Sequence, residues 1–66
     1  MNEAMARANP LFKVTEVARR LSVSRAFVYQ LMDRGLLPYV KLGTARRIRA
    51  EDVEQLLARN TIGNAA

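Results

Sequence analysis

Twice between Val14 and Gly35 the apolar residues fall at helical spacing, and only three residues separate the two helices they predict. The first run is Val14, Val17, Ala18 and Leu21, at i, i+3, i+4 and i+7, which makes one apolar face. Ser22-Val23-Ser24 then breaks that face and brings two hydroxyl residues. Ser24 is suited to accept from the free N–H groups at the start of the next helix, as its N-cap. The second run places Val28, Leu31 and Met32 inward and stops at Gly35, a suitable residue for the left-handed position just past a helix. The spacing predicts two short amphipathic helices joined by a turn that buries one residue, Val23.

That pattern is the sequence form of a helix-turn-helix, whose second helix enters the major groove of DNA. Composition narrows the alternatives. Sixty-six residues make one domain, and a chain of this size buries only ~60% of the surface it exposes when unfolded. There is no Cys, hence no disulfide and no thiolate metal site, and no His, the commonest metal ligand and general base. Glu51, Asp52 and Glu54 are carboxylates at a helix start, better explained by the helix dipole than by acid–base chemistry. The sequence therefore predicts no enzyme, no metal, no cofactor and no small-molecule substrate. No apolar run approaches the ~18 residues of a membrane span, and the N-terminus lacks a signal-peptide core, so a cytoplasmic location in a bacterial or phage-infected cell is expected.

The net charge of +5 is unevenly placed. Lys13 to Arg49 holds nine Lys or Arg and two acids, whereas Ala50 to Ala66 holds Arg59 against three acids. Positive charge collected in one segment is the footprint of a polyanion binder, although a solvated basic surface is the plain alternative.

Taken in order, residues 1–10 read as a flexible leader, 11–60 as the folded domain and 61–66 as a flexible tail. Phe12 is expected in the core. The first helix begins either after Thr15, a good cap, or at Val14, which leaves Lys13 as a poor one. Arg19 and Arg20 fall on its outer face, as solvated charge or as phosphate contacts. On the second helix Ser24, Arg25, Ala26, Phe27, Tyr29, Gln30 and Arg34 are left for DNA. Arg25 suits guanine, Gln30 suits adenine, and Ala26 and Phe27 suit a thymine methyl. Phe27 packing on the neighbouring hairpin is the alternative for that ring, and Tyr29 fits a half-buried ring with its hydroxyl near a phosphate. Tyr39–Leu42 and Arg46–Arg49 read as a two-stranded hairpin around Gly43-Thr44-Ala45, with Val40, Leu42 and Ile48 turned inward together through a bulge or loose tip. Lys41, Thr44, Arg46, Arg47 and Arg49 make it a basic wing beside the recognition helix, or a solubilising edge. Val53, Leu56 and Leu57 form the inner face of a closing helix that ends near Asn60.

The expected fold class is α+β, mainly α: a small winged helix-turn-helix of two helices, a hairpin wing and a closing helix. The string from Leu11 to Leu57 resembles the excisionase-type helix-turn-helix domain, a small relative of the MerR winged-helix family. The residues that carry the resemblance are Val14, Val17 and Ala18; Val23, Ser24, Arg25, Val28, Tyr29 and Leu31; Gly35, Leu37 and Pro38; Lys41, Gly43, Arg47 and Ile48; and Asp52, Val53 and Leu57. Lys13 stands where that family often has a capping Thr, Ser22 replaces a turn Gly, Thr44 and Ala45 replace two often basic positions, and Arg46 replaces an aromatic. The resemblance implies a recombination directionality factor that binds repeated attachment sites in double-stranded DNA and bends them. Such a factor associates with neighbouring protomers and directs an integrase toward excision of a phage or mobile element. A small MerR-like transcriptional regulator is the nearest alternative, and a protein–protein adaptor a more distant one.

Overall fold

The computed structural model describes residues 10–63. The elements are β1 (Leu11–Lys13), α1 (Val14–Leu21), α2 (Arg25–Asp33), β2 (Val40–Leu42), β3 (Ala45–Arg49) and α3 (Ala50–Arg59). Both α1 and α2, the hairpin and α3 stand where the periodicity predicts them. Of the leader expected over residues 1–10, residues 1–9 lie outside the described residues, as do the last three residues of the tail.

The sheet has one strand more than the hairpin read from sequence. It is antiparallel in the order β1-β3-β2, so the return strand of the wing is central rather than an edge. In β1, Leu11, Phe12 and Lys13 pair with Arg49, Ile48 and Arg47. The Ala50 N–H donates to the Pro10 carbonyl at 3.0 Å, continuing the ladder by one bond. Three residues are too few for a period of two to show, which is why β1 is invisible in the sequence.

Helix α1 begins at Val14 with Lys13 as its N-cap, in extended backbone at φ −74°, ψ 158°. An ammonium cannot accept a hydrogen bond, so the cap is one-sided: the Lys13 N–H donates to Glu16 Oε1 at 2.9 Å. The helix stops at Ser22, whose φ of 56° is the one positive value at a non-glycine residue described. Ser22 N–H donates to the Arg19 carbonyl at 3.1 Å and Val23 N–H to the Ala18 carbonyl at 3.0 Å, which closes the last turn. A left-handed L-residue costs roughly 1–2 kcal/mol, more than the ~0.5–1 kcal/mol entropic disadvantage of glycine. Ser22→Gly is therefore expected to raise the thermal midpoint by a few degrees, since about 1 kcal/mol moves a domain of this size by roughly 4–8 °C. A melt followed by circular dichroism checks it, and an unchanged or lower midpoint would contradict it.

The core is Val14, Val17 and Ala18 of α1, Val28 and Met32 of α2, Leu37, Ile48, and Val53 and Leu56 of α3. Phe12, Leu21, Val23, Leu31 and Tyr39 pack partly buried around it. Three expectations for the core are corrected. Val40, Leu42 and Ile48 do not turn inward together: Val40 pairs with Arg47 and Leu42 with Ala45 in plain alternation, so Ile48 is buried while Leu42 is 56% exposed. The tip needs no bulge, because Gly43-Thr44 is a two-residue loop with positive φ at Gly43 alone, the pattern of a II′ turn. Leu57 is 51% exposed and lines an open groove beside Phe27 and Leu31 rather than the closed core. Leu37, just past α2, is wholly buried and was not expected in the core.

Candidate nucleic-acid interface

Helix α2 is set by its two caps. At its start Ser24 Oγ accepts from the Phe27 N–H at 3.1 Å, as the turn sequence predicts. At its end Gly35, at φ +74°, donates to the Met32 carbonyl at 3.0 Å and Leu36 N–H donates to the Leu31 carbonyl at 2.9 Å. These are the paired bonds of a Schellman ending, which only a residue tolerant of the left-handed region makes cheaply. With Val28 and Met32 buried below, Ser24, Arg25, Ala26, Phe27, Tyr29, Gln30 and Arg34 are all exposed. The structure thus leaves every residue singled out from the sequence on α2 and at its two caps accessible to a large partner.

The two aromatic rings diverge. Phe27 does not pack on the hairpin. It lies on the other flank of α2, lining an apolar groove of about 410 Å³ with Leu21, Leu31, Leu56 and Leu57. Tyr29 is the ring on the hairpin side. Arg46, from β3, holds its guanidinium 5.1 Å from the Tyr29 ring centroid and 4.8 Å from that of Tyr39. Its Nη1 lies 3.7 Å from Asp33 Oδ1, an acid at the end of α2. One cation thus spans the wing, the α2–β2 connection and the recognition helix. Cation–π contacts of this kind contribute about 0.5–1 kcal/mol each at partly exposed sites. The Asp33 pair adds little in energy at that exposure, but it neutralises an acid on a face otherwise rich in cations.

The remaining wing residues differ in how far they are engaged. Lys41 and Thr44 are exposed. Arg47 Nη1 donates to the Arg46 carbonyl at 2.9 Å. Arg49 lies 3.8 Å from Asp52 Oδ2 across the first turn of α3 and is tied to that helix start. On α1, Arg19 is exposed, and Arg20 sits over the Phe12 ring at 4.2 Å. Sequence reasoning missed Asp33 and Tyr39 as the partners of Arg46. Their proximity follows from strand register and helix placement, and no local signal carries it.

A recognition helix with a free polar face, a short turn before it and a basic hairpin fastened to its side define a winged helix-turn-helix. The chain belongs to the helix-turn-helix domain family, whose model matches residues 11–61. It is 40% identical over 47 residues to a protein named "Putative DNA-binding protein" in each of two strains of Mycobacterium tuberculosis. The match takes in 71% of this chain, which spans only 60% of the length of these curated relatives. No solved structure gives a significant match. Among the described residues no helix is long and apolar enough to cross a membrane.

Proposed function

We propose that this domain binds duplex DNA in a sequence-specific way, with α2 in the major groove and the β2–β3 wing against the adjoining backbone. The observation that carries the reading is the free face of α2: Arg25, Ala26, Tyr29 and Gln30 stand clear of the core while Arg46 fastens the basic wing beside them. In such a complex Arg25 and Gln30 read base edges. Lys41, Thr44 and Arg47 hold the backbone, and Arg46 sets the angle between the two elements. Arg19, Arg20, Arg34 and Arg49 add charge at the margins. The name carried by the Mycobacterium relatives supports DNA as the partner.

Within that class we propose an excisionase role: binding to repeated attachment sites, bending them, and directing an integrase toward excision. The ordered match of motif residues from Leu11 to Leu57 supports it. Size supports the need for repeats, because a module this small covers only ~600–1,000 Å² of DNA interface and gains useful affinity from neighbouring protomers. Transcriptional regulation from promoter repeats is the second reading, favoured by relatives named for DNA binding alone. Footprinting on the attachment region, with and without integrase, separates the two. Protected repeats together with faster excision in a reconstituted reaction are expected. Protection confined to a promoter, with no effect on excision, would favour the regulator.

A further inference from the structure

A cleft of about 260 Å³ between β1, the wing and α2 is lined by the cations Lys13 and Arg47 and the hydroxyl residues Tyr29 and Thr44; Arg46 also borders it, with its guanidinium held by Tyr29, Tyr39 and Asp33. No acid lines it. Its volume is several times the ~30 Å³ share of one water molecule. Lys13 and Arg47 are direct partners across the β1–β3 ladder, so two like charges face each other on one side of the sheet. Like charges so placed are destabilising. Among the described residues neither has an ion-pair partner, the Asp33 and Asp52 carboxylates being taken up by Arg46 and Arg49. Lys13 further sits at the start of α1, where a cation opposes the helix dipole and its own side chain accepts no capping bond, Glu16 in the first turn being the one offsetting charge. The Lys13–Arg47 repulsion and the cation at the helix start have the same sign, and one anion seated between Lys13 and Arg47 relieves both.

We propose that this cleft seats a phosphate group, with Lys13 and Arg47 as its charged ligands and the Tyr29 and Thr44 hydroxyls as further donors. The proposal rests on the DNA-binding reading for the source of that group, a backbone phosphodiester passing between the recognition helix and the wing. It assigns Lys13 a role in binding that its exposure alone does not suggest. The stability lost at Lys13 is then the counterpart of affinity gained on a polyanion.

The test is Lys13→Thr, which supplies a capping hydroxyl at a backbone already extended, φ −74°, ψ 158°. Without DNA this variant is expected to melt roughly 2–8 °C above the parent protein. On random duplex it is expected to bind more weakly, by roughly eightfold at most at 0.1 M salt, with the slope of log affinity against log salt reduced by about one unit. The opposed signs are the signature, since a merely structural lysine would move both readings together. If the parent protein binds duplex and Lys13→Thr leaves the slope unchanged, the seat is overturned and the DNA reading stands. A second arm compares inorganic phosphate with chloride at matched ionic strength. Protection of the parent by phosphate beyond that of Lys13→Thr, in a protein that binds no duplex, would keep the seat, make free phosphate its ligand and overturn the DNA reading. Equal protection of both proteins would overturn the seat.

Discussion

Leu37→Ala is expected to destabilise the domain by about 2–5 kcal/mol, the range for removing a fully buried leucine. At roughly 0.05–0.15 kcal/mol per residue a chain of this length holds about 3–10 kcal/mol in all, so this one change takes a large share of the stability. The reason is position as much as volume. Leu37 is wholly buried in the short connection that runs from the Gly35 ending of α2 to the wing. The same connection is tied to α3 by Arg59, whose Nη2 donates to the Leu36 carbonyl at 3.0 Å. Truncating Leu37 opens a cavity where α2 and the hairpin acquire their mutual orientation. Leu42→Ala is the control, because Leu42 is half-exposed at the wing tip and its loss should stay within about 0.5 kcal/mol. Equilibrium denaturation in urea measures both. Similar midpoints for the two variants would show that Leu37 is not a keystone of the core.

Arg25→Ala should leave stability unchanged and weaken binding to the cognate site by about 1–3 kcal/mol, a loss of one bidentate base contact. Arg25 is exposed in the first turn of α2 and has no ion-pair partner among the described residues, so nothing in the fold depends on it. The discriminating measurement is the ratio of cognate to random duplex affinity at one stated salt concentration. A base contact lowers that ratio, whereas a phosphate contact weakens both duplexes alike. Equal weakening would therefore remove Arg25 from sequence readout. Arg46 offers the opposite case: its guanidinium is already stacked between two rings and set against Asp33, so its removal acts through the placement of the wing.

The helices were legible because each reports itself locally. Val14, Val17 and Ala18 recur at helical spacing, Ser24 announces a start, Gly35 an end, and the acids at Glu51 and Asp52 another start. The hairpin was legible from its Gly-centred tip and its change of period. The strand β1 was not, because Leu11–Lys13 is a strand only through pairing with Ile48 and its neighbours, more than thirty residues on. Of the two placements the sequence leaves open for Phe27, packing on the hairpin is the one the structure does not bear out, for a related reason. A ring on the flank of a helix has two sides to choose from, and only the position of α3 decides that the groove beside Leu56 and Leu57 is nearer than the wing.

The sequence by itself determined the element types, the caps, the free polar face of α2 and the concentration of positive charge before Ala50, because each depends on residues within one or two turns of one another. Tertiary structure alone decided which cations meet. Arg46 faces Tyr29, Tyr39 and Asp33, while Lys13 faces Arg47, because antiparallel register converts distant positions into opposed pairs. Coulomb energy depends on separation in space, and for these residues that separation is set by the sheet rather than by the chain.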